Sequence, residues 1–248
     1  MVLKASADLW NSLQDLVFPK ACRHCGTYFD NGYSNILCVT CLAGVQHYHG
    51  LVCDHCGISL PENAFEGASQ FRCEDCGDHP YYLDRVRAWG PYEGPLRILH
   101  HGFKFEGMED LKVEMAGRLR TSIPGSFWEG VKALVPVPMS PEKERERGHN
   151  PAFGISTELS RVLGIETKEL LKKTRATAPQ MSLSKAQRLQ NPSGAYAISL
   201  MTPIPTRLIL VDDVFTTGAT LEECAKVLKK SGAQWVGAIV FGRTPHQS

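Results

Sequence analysis

Two adjacent carboxylates, Asp212 and Asp213, stand at the end of the apolar run Leu208-Ile209-Leu210-Val211 and are followed by Val214-Phe215-Thr216-Thr217-Gly218-Ala219-Thr220. Four consecutive apolar residues are the pattern of a parallel strand buried on both faces. The loop beyond offers free backbone N–H groups, three hydroxyls and a helix N-terminus, which together make an anion site. Gly218 permits close approach of a phosphate. A purely structural strand-turn-helix would leave two acids at a buried strand end without a partner, which is costly. A nucleotide hydrolase could hold magnesium on such acids, but it needs a Gly-x-x-x-x-Gly-Lys-Ser/Thr loop, and the chain has none.

Metal chemistry is written earlier in the chain. Eight of the nine cysteines form four pairs of identical spacing: Cys22/Cys25, Cys38/Cys41, Cys53/Cys56 and Cys73/Cys76. The two-residue spacer brings both sulfurs of a pair to one metal, and Gly26, Gly57 and Gly77 follow three of the pairs where the backbone must turn. The pair-gap-pair layout of 22–41 repeats in 53–76, which argues for two sequential four-cysteine zinc sites rather than interleaved ones. Four thiolates leave no open coordination position, so these sites stabilise structure and do not catalyse. A disulfide framework would need an oxidising compartment, and nothing in the sequence sends the chain to one. His24, His47, His49, His55 and His79 lie nearby without being needed as ligands, and Cys224 falls on the apolar face of a helix.

The elements that must position these groups follow from periodicity. The spacing predicts an amphipathic helix within residues 1–20 and a cysteine-rich region over 21–80. An α/β domain over 81–248 alternates strand-like runs with helices. Strands are expected at Arg85–Tyr92, Ala133–Val137, near Ile165–Leu170, at Leu208–Val211 and at Val236–Phe241. Helices are expected at Pro95–Phe105, Asp110–Thr121, within Phe153–Leu163 and at Thr217–Lys230. No low-complexity linker separates the two regions, so they should pack together. The 248 residues carry a net charge of +1 with 43% hydrophobic and 21% charged residues, a globular balance with no global field for nucleic acid. No run approaches the length of a membrane span, and no signal peptide is apparent, so membrane insertion is not expected and a cytoplasmic location is.

The Asp212–Thr220 segment closely resembles the motif by which type I phosphoribosyltransferases bind phosphoribosyl pyrophosphate (PRPP). That resemblance implies that Asp212 and Asp213 hold the ribose hydroxyls while Thr216, Thr217, Gly218, Ala219 and Thr220 cradle the 5′-phosphate. The run Glu142-Lys143-Glu144-Arg145-Glu146-Arg147-Gly148-His149-Asn150 follows Val135-Pro136-Val137-Pro138. Such a run is usually a solvated face. At the ligand end of a sheet it also suits a mobile pyrophosphate-side loop with Pro138 at its base and Arg145 and Arg147 as phosphate partners. Lys173, Arg175, Thr177, Gln180, Leu183, Arg188 and Asn191 lie in a later polar stretch.

Taken in order, Val-Pro-x-Pro, Arg-x-Arg-Gly-x-Asn, Arg-x-Thr-x-x-Gln-x-x-Leu and the PRPP loop resemble the ComF family, with cysteine ribbons ahead of a phosphoribosyltransferase-like domain. Lys104 in Phe103-Lys104-Phe105 matches a family lysine, and Arg175 and Gln180 become ligand-side candidates. The chain departs from the family at His149 and Pro151, usually Phe and Gln, and at Ala178, commonly proline. The resemblance implies binding of PRPP with Mg²⁺ and transfer of the phosphoribosyl group to a nitrogen nucleophile, Asp213 serving as general base. The alternative is a non-catalytic, PRPP-responsive accessory protein of transformation that binds single-stranded DNA and competence proteins. In that case Lys20, Arg23 and Arg72 with Tyr28, Phe29 and Phe71 would meet the strand.

Overall fold

A computed structural model describes residues 20–29, 36–48, 50–61, 71–77, 80–175, 177, 187, 191–199 and 202–244. The helix expected within residues 1–20 lies almost wholly outside them, as does Gln180. The described elements begin with a short helix, α1 (Val39–Ala43), inside the cysteine region. They continue through β1 (Arg85–Pro91), α2 (Gly94–Phe105), α3 (Leu111–Ser122), β2 (Ala133–Pro136), α4 (Pro141–Arg147) and α5 (Pro151–Leu163). The chain is completed by β3 (Leu171–Lys173), β4 (Tyr196–Ile198), β5 (Arg207–Phe215), α6 (Ala219–Lys230) and β6 (Trp235–Arg243).

Four strands form an all-parallel sheet in the order β1-β6-β5-β2, with Ala88 opposite Val240, Leu210 opposite Ala238, and Val135 opposite Leu210. Successive side chains leave a strand on opposite faces. Ile209, Val211, Ile239 and Phe241 therefore meet α2, α3 and α5 through Leu96, Phe103, Met115 and Ile155. Leu208, Leu210, Ala238 and Val240 meet α6 through Leu221, Cys224 and Leu228 on the other face. Burial on both faces is why these strands read as unbroken apolar runs. Cys224 is fully buried here, as its place on the helix face predicted.

The cysteine region packs onto both faces. Cys22 and Cys38 belong to the cluster of Trp89, Phe103 and Met115, whereas Cys53, Cys56, Cys73 and Cys76 belong to that of Val86, Leu208 and Val240. The edge strand β1 is covered where Val86 N–H donates to the His55 carbonyl and Arg87 donates to the Asp54 carbonyl at 3.4 Å. Covering removes an exposed row of backbone groups that would otherwise invite pairing with another chain.

Two expectations are corrected. The strand foreseen near Ile165–Leu170 reduces to one parallel bridge between Thr167 and Leu134. The extended segment starts later, as β3, which pairs antiparallel with β4 in a separate ribbon. The charge run foreseen as a loop is the helix α4. Pro141 sits in its first turn, Glu142 and Glu144 lie near its N-terminus, Arg145 and Arg147 close it, and Gly148 ends it at φ 82°. That order suits the helix dipole and a left-handed cap, and local charge placement prevails over the loop-like composition.

Candidate functional site

Because all four sheet strands are parallel, their carboxyl ends share one edge, the usual ligand edge of an open α/β sheet. A cleft of about 530 Å³ opens there. It is bordered by Tyr92 after β1, Pro138 to Ser140 after β2, Asp212 to Thr216 and Gly218 to Leu221 around the end of β5, and Thr244 after β6. Lys104 and Phe105 from the end of α2 and Arg147 from the end of α4 form another wall. Asn150 braces the floor. Its amide donates to the Val137 carbonyl at 3.1 Å, and its side-chain oxygen accepts from Ala152 N–H at 3.1 Å to cap α5. Pro151 occupies the first turn of that helix. The His149 ring packs 5.6 Å from Phe103.

The aspartates differ in their surroundings. Asp213 Oδ2 faces His100 Nε2 at 3.2 Å and is ion-paired with the Lys104 ammonium. Its Oδ1 accepts from Val214 N–H at 2.7 Å. Burial raises the Asp213 pKa, but the Lys104 charge and the His100 hydrogen bond outweigh it and hold the carboxyl well below its ordinary range. Asp212 Oδ1 accepts from Asp213 N–H at 2.8 Å, and burial, reinforced by the neighbouring Asp213 charge, pushes its carboxyl up to about 8. One acid is thus held as an anion, while burial and that neighbouring charge favour the protonated form of the other.

The phosphate loop turns at Gly218, whose φ of 75° is left-handed and whose missing side chain leaves room for the Phe215 ring. A Cβ there would stand 2.6 Å from that ring. Gly218 provides no side-chain cap, and the first turn of α6 lines the cleft through Ala219 and Thr220 beside Thr216. Thr217 is not among the residues lining the cleft; its hydroxyl lies 3.5 Å from Ala219 N–H.

Of the remaining candidates, the structure brings Pro138, Lys104 and Arg147 into the cleft. The Arg147 guanidinium lies 5.2 Å from the Phe105 ring centre. Arg145 is on α4 but not among the lining residues, and Arg175 donates to the carbonyls of Asn191 at 3.0 Å and Ser193 at 2.6 Å, away from the cleft. Sequence reasoning missed Tyr92, His100 and Tyr196 and placed Lys173 only in a polar stretch, and all four line the cleft. His100 was reachable, because it stands four residues before Lys104 and so shares its helix face. Lys173 and Tyr196 oppose each other only because β3 and β4 pair, and nothing local announces that. Among the ribbon residues considered for nucleic acid, Tyr28 is 68% exposed, Phe29 packs on the core, and Arg23 is ion-paired to Glu106 at 2.7 Å.

The cysteines gather as two sets, Cys22/Cys25/Cys38/Cys41 and Cys53/Cys56/Cys73/Cys76, with all sulfurs of a set within 4.8 Å of one another. A tetrahedron of thiolates around zinc has edges of about 3.8 Å. The Cys25–Cys38 and Cys56–Cys73 sulfurs stand 3.8 Å and 3.6 Å apart, and the N–H groups of Cys41 and Cys73 point at Cys38 and Cys53 sulfurs at 3.4 Å each. Both sets fit structural zinc. His55 stacks on Tyr81 at 4.0 Å instead of ligating.

Comparisons with known proteins agree with this layout. Residues 13–78 match the double zinc ribbon domain. The chain is 31% identical over 207 residues to Competence protein F of Haemophilus influenzae, covering 81% of this chain and 87% of that one. It is 34% identical over 167 residues to Competence protein ComFC of Streptococcus pneumoniae, covering 66% and 71%. It is 29% identical over 199 residues to the DNA utilization protein YhgH of Escherichia coli, covering 78% and 84%. Among solved structures, a purine phosphoribosyltransferase from Pyrococcus horikoshii aligns with 54% of this chain and 82% of its own at 17% identity, with a TM-score of 0.31.

Proposed function

Since this chain belongs to the ComF family, we propose that its cleft binds PRPP together with Mg²⁺ and transfers the phosphoribosyl group to a nitrogen nucleophile in the setting of DNA uptake. The observation that carries this reading is the Asp212-Asp213 pair and its hydroxyl loop at the carboxyl end of β5, lining one cleft with Lys104 and Arg147. The two carboxylates would accept from the ribose hydroxyls. The N–H groups and hydroxyls of Thr216 to Thr220 would hold the 5′-phosphate. Lys104, Arg147 and the turn at Pro138 would receive the pyrophosphate. Magnesium entering with the ligand would neutralise part of the pyrophosphate charge as it leaves.

Asp212, whose carboxyl burial pushes up to about 8, suits the role of general base better than Asp213, which Lys104 and His100 hold as an anion. The setting rests on relatives named as competence and DNA utilization proteins. No described helix is long and apolar enough to cross a membrane.

Titration calorimetry with Mg²⁺ and PRPP, comparing the wild type with the double variant Asp212→Asn/Asp213→Asn, tests the site. Saturable binding lost in the variant supports it, after which pyrophosphate release with a panel of nucleobases tests turnover. No binding by folded, zinc-loaded wild type would sink the reading. Salt-sensitive binding of single-stranded DNA, lost on Arg23→Glu, would then favour the accessory-protein alternative.

A further inference from the structure

His100 is 2% exposed, and neither the phosphate loop nor the acid pair accounts for it. Its two ring nitrogens have different partners. Nδ1 lies 2.7 Å from the Tyr92 hydroxyl, and Nε2 lies 3.2 Å from Asp213 Oδ2, the oxygen that Lys104 also meets. A carboxylate oxygen can only accept, so Nε2 must carry the hydrogen. In the Nε2–H tautomer Nδ1 is an acceptor, and the Tyr92 hydroxyl donates to it. Burial and the nearby Asp213 charge raise the Tyr92 pKa, which keeps that hydroxyl protonated. Tyr92 itself is seated by Gly242 on β6, where a Cβ would stand 2.8 Å from the Tyr92 ring.

Lys104 and His100 hold the same oxygen with different freedom. Lys104 ends a flexible stem at the cleft wall, whereas His100 is packed edge-on to Tyr92 with ring centres 5.2 Å apart and lies 6.3 Å from Phe241. A phosphate entering beside Lys104 competes with Asp213 for that ammonium. If the lysine turns to the ligand, Asp213 loses its charge partner unless another donor remains. We propose that His100, locked by Tyr92 as the Nε2–H tautomer, is the positioning residue that keeps the Asp213 carboxylate aimed into the cleft when Lys104 is drawn to a ligand phosphate. The ligand half of this inference rests on the PRPP reading; the tautomer half does not.

The test uses full-length, zinc-loaded protein. Long-range nitrogen-15 correlation spectra should give His100 the Nε2–H signature in the wild type, and Tyr92→Phe should redistribute the ring proton. An Nδ1–H or doubly protonated ring in the wild type would overturn the proposal, whatever the ligand result. With PRPP and Mg²⁺, His100→Leu should weaken binding tenfold or more, and His100→Gln, which keeps an N–H donor, should recover most of it. Wild-type affinity in His100→Leu, or equal loss in the Leu and Gln variants, would also overturn it. If the wild type does not bind PRPP at all, the function proposed above fails. The spectra, with Asp213→Asn expected to shift the His100 nitrogens, then decide the positioning role alone.

Discussion

Lys104 and His100 reach one oxygen of Asp213 from the same helix face, whereas Asp212 beside it accepts from the Asp213 backbone N–H. Replacing Lys104 with Met should therefore remove both the charge partner of Asp213 and a phosphate ligand. PRPP affinity measured by calorimetry should fall tenfold or more, about 1.4 kcal/mol or greater. The raised pKa of Asp212 has a consequence for stability. Its folded-state value near 8 exceeds the ordinary 3.8, so the native state binds more protons than the unfolded state between those values. Stability from this group is present at low pH and is lost as pH rises toward 8. Asp212→Asn should abolish that loss. The variant should gain on the wild type by on the order of 1–3 kcal/mol at pH 8, with the gap closing near pH 4 in urea titrations.

At the scale of elements, the loop between β5 and α6 is set by one backbone conformation. Gly218 is left-handed and packed under Phe215. Gly218→Ala should cost about 1–2 kcal/mol from the conformation alone, with a further loss from the displaced ring, read as a lower urea midpoint. Phosphate-loop geometry should suffer more than stability, so PRPP binding should weaken by more than the midpoint shift implies. The helix α4 carries the complementary lesson. Its acids and bases are ordered along the dipole and it ends in a left-handed glycine, so Arg147 is presented from a helix terminus and Arg145 points elsewhere.

Across the whole molecule, the two cysteine sets sit on opposite faces of the sheet, and the second is tied to the ligand edge. Arg243 at the end of β6 donates to the Cys56 carbonyl at 3.3 Å and lies 5.0 Å from the Phe215 ring that packs under Gly218. Ribbon and sheet therefore share cores instead of meeting at a thin interface, and they should unfold together. Metal analysis should find two zinc equivalents per chain, and Cys22→Ser or Cys53→Ser should each reduce this to one. Either variant should lower a single thermal transition without splitting it. A separate early transition confined to the ribbon would contradict the shared cores.

The metal sites and the loop after β5 were legible in the sequence because each is local: pairs of cysteines two residues apart, and a strand, two acids and a hydroxyl loop in succession. Most elements were legible for the same reason, since two-sided burial leaves unbroken apolar runs and helix faces repeat every three to four residues. The β3–β4 ribbon was not, because its strands of three residues are joined across more than twenty positions. Nor was the distinction between the two aspartates, which are adjacent in sequence and chemically identical. It is tertiary packing that sets α2 against the end of β5, brings His100 and Lys104 to Asp213 and leaves Asp212 to its desolvation. A pKa follows from those distances, which no spacing along the chain specifies.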